Sequence, residues 1–394
     1  MRLRRGVAEL VSTLTSAEQD EISCSMTAIS RPRFAVLKLI AIFMVLSFVL
    51  HARAGEQAGR ASAIRVPGVS KVVKAQTGAD GAIHLLFHGD GPRYAKSQDG
   101  GVTFSTPIAV LDAAARKPGL EFHVEDLAVG KDGRVHVAMS CNAWKLKLPQ
   151  EEWGLYYAAL ASGAREFSPT INLNRKPSEG FCLAADERGN VTAAFLSSKL
   201  FAMTSKDSGQ SFDSWTELNP AWNPCDCCTT SATYGPDGKL ALIYREETNN
   251  ERDMYVALWE QRAGSKPTRT RLSGAGWNVN ACPMTYFSIN RTEKGYVAAW
   301  PTKGRVYFAR LDKDGAVLSP GEIKTPGTNG MRTGILALSA TDGTTLIAWK
   351  NQEVLGWQLY DAQGQPQGQP GSEASPGNGA AGVVLQDGRF LLFP

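Results

Sequence analysis

Beyond residue 60, apolar positions come in short runs separated by polar, glycine-bearing turns, and no stretch carries the 3.6-residue apolar period of an amphipathic helix. One signature recurs, a tight turn followed by an apolar strand. It appears at Asp80-Gly81, Asp132-Gly133, Arg188-Gly189, Asp237-Gly238, Lys294-Gly295, Asp342-Gly343 and Asp387-Gly388, with the glycines 52, 56, 49, 57, 48 and 45 residues apart. Asp-Gly between apolar runs marks a hairpin, because the turns that match strand twist need positive φ. A strand precedes each turn, as in Asp126-Leu-Ala-Val-Gly, and a third follows a loop, as in Leu155-Tyr-Tyr-Ala-Ala-Leu or Val306-Tyr-Phe-Ala-Arg-Leu. With a fourth strand, each period makes one four-stranded antiparallel sheet, and radial repetition of such sheets is a β-propeller. Six units are complete and the seventh ends after its second strand at Phe393. The expected fold is therefore all-β and six-bladed, or seven-bladed if residues near Ile64 to Val69 pair with that last fragment.

The N-terminus reads differently. Leu39 to Leu50 is a twelve-residue run, apolar apart from Ser47, preceded by Arg31, Arg33 and Lys38 and followed by Ala52-Arg53-Ala54. Basic region, apolar region and small-x-small site in that order predict a secretory signal, and the run is shorter than the roughly 20 residues that cross a bilayer. Met26 would start a signal of normal proportions. The expectation is a leader over residues 1–54 and one propeller domain over residues 55–394, periplasmic or secreted, without a stable membrane span after cleavage. Six of the seven cysteines survive the loss of Cys24, in a compartment that permits disulfides. Forty-two Lys plus Arg against 38 Asp plus Glu are scattered rather than gathered, so the basic stripe that nucleic-acid binding needs is missing. A monomer is expected.

Two segments share the pattern Ser-x-Asp-x-Gly-x-(Ser/Thr)-Phe. They are Ser97-Gln-Asp99-Gly-Gly101-Val-Thr-Phe104 and Ser205-Lys-Asp207-Ser-Gly209-Gln-Ser-Phe212, each just after the third strand of its unit. The carboxylate can accept turn amides, Gly supplies an unusual φ, and Phe can anchor the turn between sheets. On these segments the chain resembles the sialidase superfamily of Asp-box propellers over essentially all of residues 60 to 394. It is further similar to a secreted bacterial subgroup through Cys225-Asp-Cys227-Cys228, Tyr244-Arg245-Glu-Glu, Arg252-Asp253-Met-Tyr and Ala281-Cys282-Pro-Met284. The resemblance implies a sialidase-type exo-glycosidase or a glycan-binding protein. A working sialidase of this kind would need three arginines to grip a carboxylate, for which Arg65, Arg245 and Arg332 are the candidates. Glu246 or Glu247 would polarise a nucleophilic tyrosine. After Arg332 the sequence offers only Tyr360, at the end of a third strand and on the wrong face.

Up-and-down blades put the start of strand one and the loop between strands two and three on one face, opposite the Asp-Gly turns. Cys182, the Cys225 to Cys228 run and Cys282 open strand one of units 3, 4 and 5, and Cys141 follows strand two of unit 2. All six therefore map to one face, with His123, Arg245, Glu246, Glu247, Arg252 and Arg332, and a glycan or protein ligand is expected there. Three chemistries suit the sulfurs. They are disulfide staples, most simply between units 4 and 5; a soft-metal set in which thiolates with Met284 and His123 hold copper or zinc; and a redox-active thiol pair. Arg252 and Asp253 belong either to a salt-bridge network or to a ligand-binding loop. His84 and His136 alternate with apolar residues and are expected to pack inside blades.

Overall fold

In the computed structural model, residues 59–394 are described, apart from positions 70, 116, 131 and 263. The apolar run at 39–50, Met26, Cys24 and the cleavage site at 52–54 lie outside the described residues. The described chain is almost wholly β, with one 3₁₀ turn at Gln150–Glu152 and no helix long and apolar enough to cross a membrane.

Seven sheets form, and the chain takes the seven-bladed alternative. The innermost strands of blades 1 to 7 are Val72–Thr77, Phe122–Val129, Glu179–Ala185, Ser231–Tyr234, Ser288–Arg291, Ile335–Ser339 and Ala381–Val384, each packed against the next and the last against the first. Blades 1 to 6 are antiparallel meanders running outward in chain order. Six of the seven expected turn glycines, Gly81, Gly133, Gly189, Gly238, Gly343 and Gly388, have φ between 74° and 89°, whereas Gly295 of blade 5 has φ of 159°. Blade 7 is closed differently. Its third strand is Ala61–Ala63, which pairs in parallel with Phe390–Phe393, Ala61 opposite Phe390 and Ala63 opposite Leu392. The clasp thus lies just upstream of the segment expected from the sequence, although Ile64 N–H still donates to Leu392 at 2.9 Å.

Alternating side chains of facing sheets make the core, which is divided between neighbouring blades. Leu85, Phe87, Val383 and Phe393 pack between blades 1 and 7, and Phe195, Leu183, Ala138 and Leu155 between blades 2 and 3. The two Ser-x-Asp-x-Gly segments tie such pairs together. Gly101 N–H donates to Ser97 Oγ at 2.9 Å and Thr103 N–H to Asp99 at 2.9 Å; Gly209 and Ser211 repeat both bonds with Ser205 (2.7 Å) and Asp207 (2.9 Å). Phe104 then meets Phe393 of blade 7 edge-on, and Phe212 meets Tyr157 of blade 2. Each turn plugs onto the preceding blade.

Candidate functional site

Where the seven inner strands begin, their backbones converge on the channel and leave a cavity of about 630 Å³. Its lining includes Lys71, His88, His123, Lys145, Tyr286 and Arg332 from blades 1, 2, 5 and 6, with Glu125 and Asp126 beneath them. Asp126 is buried and fully engaged: it pairs with Lys74 at 2.9 Å and accepts the Leu183 N–H at 2.9 Å, joining blades 1, 2 and 3. Among the described residues, Lys71, Lys145 and Arg332 form no ion pair, and three cationic side chains reach the open mouth.

Glu125 is the acid of this cavity. Burial pushes its carboxyl up to about 7, the Ser140 hydroxyl that donates at 2.6 Å pulls the other way, and the nearby Asp126 and Glu179 charges add to the rise. Tyr286, 37% exposed, is raised by burial and by the Glu125 charge, while Arg332 draws it down. Tyr286 thus feels both the Glu125 and the Arg332 charge. His88 is held below its ordinary value by burial and by the neighbouring His123 and Lys71, and the two imidazoles meet edge-on with centroids 6.3 Å apart.

Beside this mouth lies a cluster of sulfur. Cys227 and Cys282 are joined in a disulfide that links the loops ahead of blades 4 and 5, the pairing of adjacent units that the sequence favours. Cys225 Sγ is 3.3 Å from Cys227 Sγ, Cys228 Sγ is 3.7 Å from Cys225 Sγ, and the sulfurs of all three lie within 4.8 Å of one another. The run is held by strand-like pairing, with Cys225 N–H donating to Arg245 O at 2.8 Å and Pro224 bridged to Glu246. Two arginines face it. Arg252 Nη1 donates to Cys225 Sγ at 2.9 Å, and Arg245, 1% exposed, sits between the rings of Trp277 and Phe287 with Nη2 on the Pro301 carbonyl. Hydrogen bonding with Cys225 and the Arg245 charge hold the Cys228 thiol down at about 6 against its burial, and the same pairing, together with burial, pushes the Cys225 thiol up.

The cluster is tied to the cavity. Thr229 and Thr230, directly after Cys228, line the cavity, and Thr229 N–H donates to Thr285 O at 3.1 Å. Arg332 is anchored to the residue that follows Cys282-Pro283, donating from its backbone to Met284 O at 2.8 Å and from Nε to Met284 Sδ at 3.1 Å.

The four residues expected to act in catalysis do not assemble. Arg332 alone lines the cavity. Arg65 is exposed and bonds the Ala374 carbonyl and Glu373 at the clasp; Arg245 is buried among rings and thiols; Glu246 accepts Arg269 and the Tyr244 hydroxyl. Arg252 and Asp253 part company, since Asp253 pairs with Arg271 at 2.9 Å and accepts Ser273. Of the sulfur set, Cys182 is separate, buried and bonded by the Thr230 hydroxyl at 3.1 Å, its thiol pushed up by burial to about 12, and Cys141 contacts the Glu152 carbonyl. Met284 serves Arg332 and His123 serves the cavity, so neither joins the thiols. Tyr286 and Glu125 carry no motif, and Tyr286 lies upstream of Arg332 rather than downstream of it. Tyr360, downstream of Arg332, is buried against Phe308 at the end of its third strand.

No protein-family model matches the chain, and no curated protein matches it. Solved structures do. A polysaccharide lyase of family PL25, an ulvan lyase bound to a GlcA–Rha3S fragment, is 10% identical, with a TM-score of 0.51 over 82% of this chain and 89% of that one. A chain of a mitotic checkpoint complex is also 10% identical, with a TM-score of 0.50 over 82% and 85%. The phage phi92 endosialidase is 9% identical, with a TM-score of 0.45 over 84% and 73%. Identities this low show a shared propeller fold and leave the chemistry to the site itself.

Proposed function

We propose that this chain is a secreted or periplasmic Asp-box propeller of the sialidase superfamily that binds acidic saccharides at the mouth of its channel. The observation that carries the reading is the convergence of Arg332, Lys71 and Lys145, none of them ion-paired among the described residues, on one cavity with an accessible tyrosine. Guanidinium and ammonium groups recognise carboxylate or sulfate, Tyr286 is exposed enough to meet a sugar, and a volume of about 630 Å³ holds a short oligosaccharide. Titration calorimetry with uronate-bearing and neutral oligosaccharides of equal length tests it. Binding should be confined to the acidic series, weaken with salt, and fall at least tenfold in Arg332→Ala. Equal affinity for the neutral series would refute it.

A second reading is favoured by Tyr286, which shares the cavity with Glu125 and Arg332 and feels both charges. In a sialidase-type hydrolase, Arg332 would hold the substrate carboxylate, Tyr286 would act as nucleophile and Glu125, raised to about 7, would exchange its proton. Turnover of a fluorogenic sialoside should then be abolished by Tyr286→Phe. A folded protein that binds acidic glycans without cleaving any leaves this site a binding site.

A further inference from the structure

The cysteine cluster takes no part in the reading above, and its charges do not balance without it. Arg245 is buried, its Nε and Nη1 have no hydrogen-bond partner, and neither Arg245 nor Arg252 forms an ion pair among the described residues. A buried guanidinium without a counter-charge is costly, and here the ionisable groups that face it are the Cys225 and Cys228 sulfurs. One of that pair is therefore a thiolate in the folded protein. Cys225 Sγ lies 3.3 Å from Cys227 Sγ, which is already in a disulfide, and 3.7 Å from Cys228 Sγ. A thiolate against a disulfide sulfur is the reactant arrangement of thiol–disulfide exchange. Cys227 and Cys282 are half-buried whereas Cys225 and Cys228 are 5% and 2% exposed, so the bonded pair is the one that solvent reaches. Three clustered sulfurs also suit a soft metal, but two guanidiniums oppose a cation there, and Cys227 is bonded elsewhere.

We propose that Cys225, Cys227, Cys228 and Cys282 form a thiol–disulfide exchange centre whose external reactants are low-molecular-weight thiols and disulfides arriving at Cys282. In the first step Cys225 passes its proton to the Cys228 thiolate, 3.7 Å away, and its sulfur forms a bond to Cys227 Sγ; the Cys227–Cys282 bond breaks, and Cys282 leaves with its electron pair and takes a proton from solvent. In the second step Cys228 gives its proton to solvent and attacks Cys225, and Cys227 leaves as the thiolate and is protonated. Every state holds one disulfide and two thiols, so the isomerisation needs no oxidant. The product is a buried Cys225–Cys228 disulfide and an accessible Cys227/Cys282 dithiol. A disulfide such as oxidised glutathione can then close that dithiol again, releasing two molecules of the reduced form and leaving both protein disulfides made.

The test equilibrates the full chain in glutathione buffers of graded ratio, quenches with acid, alkylates under denaturing conditions and maps disulfides by mass spectrometry. Cys225–Cys228 is expected beside Cys227–Cys282, its share rising as the buffer becomes more oxidising. Cys228→Ser should stop the sequence midway and accumulate Cys225–Cys227 with Cys282 alkylated; Arg252→Gln should slow equilibration at least tenfold with the end-point mixture retained. If Cys228→Ser does not fold, the wild-type map and Arg252→Gln decide. Wild type showing only Cys227–Cys282 at every ratio overturns the proposal, as does a reduced protein that retains stoichiometric copper or zinc on these sulfurs. Glycan binding reads out separately, at Arg332, so the two proposals fail independently.

Discussion

At the scale of single residues, the two Ser-x-Asp-x-Gly turns show how a local rule serves a distant contact. Gly209 has φ of 79°, and a Cβ there would fall on the Tyr157 hydroxyl and come within 3.0 Å of His136 Nδ1 in the preceding blade. Gly163 has nearly the same φ, 77°, with nothing within 4 Å of such a Cβ. Both substitutions to alanine incur the left-handed penalty of about 1–2 kcal/mol; only Gly209→Ala must also part blade 3 from blade 2. Denaturant unfolding should therefore show Gly163→Ala down by about 1 kcal/mol and Gly209→Ala by about 3 kcal/mol or more. Equal losses would mean that the turn does not clamp the neighbouring sheet. Conformation was legible here from sequence, since glycine at a fixed place in a turn motif announces positive φ. The neighbour it touches was not, because Tyr157 and Gly209 share no local pattern.

The second strands of blades 1 and 2 carry a repeated element, Asp-Gly-x-(Ile/Val)-His. His84 and His136 occupy the same position, each inside its sheet with Nδ1 2.7 Å from a tyrosine hydroxyl on the third strand, Tyr94 or Tyr157. Alternation with apolar residues places both inside a blade, and they are 1% and 0% exposed. Burial holds both rings down at about 4, with positive Lys96 and Arg134 nearby adding to the shift. The sign follows from linkage. These bases have folded values below their ordinary 6.5, so the unfolded chain takes up protons first as pH falls. Stability is full above about pH 6.5 and is lost progressively down to about pH 4, by up to roughly 3 kcal/mol per ring. A thermal melt series from pH 7.5 to 4 should show this fall, and His84→Gln with His136→Gln should flatten it. A profile unchanged by the double substitution would place the acid sensitivity elsewhere. At this scale the hairpin period, the strand faces and a staple between units 4 and 5 follow from local spacing, whereas which cysteines make it, Cys227 and Cys282, does not. Glu125 and Tyr286 stayed hidden because they belong to blades 2 and 5, and only closure of the ring brings them to one cavity.

Closure is a property of the whole molecule, and it was also what the repeat could not decide. Ala61–Ala63 is three small residues with no periodicity, and its partner strand begins at Phe390, at the far end of the chain. What makes the pairing favourable is the edge it covers: Phe390 and Leu392 are fully buried, and without the clasp the outer side of the Phe390–Phe393 strand would present unpaired backbone groups. The seal is held by few bonds. Phe390 N–H donates to Arg60 O at 2.8 Å, Ile64 N–H to Leu392 O at 2.9 Å, and Arg60 pairs with Asp342 of blade 6 at 2.6 Å. Arg65, expected from sequence to grip a substrate, instead bonds the Ala374 carbonyl on the outer strand of blade 6 at 2.6 Å, next to the same seam. Ile64→Pro removes one donor and forces the ring of proline against the neighbouring strand, at a cost of about 3 kcal/mol. Because blade 7 separates blades 6 and 1, loosening it exposes both, and the loss should appear in the global transition rather than as local fraying. The melting temperature should drop by several degrees, with the segment before Val66 newly open to limited proteolysis. A domain closed well enough by its inner strands alone would melt unchanged while still losing that segment to protease.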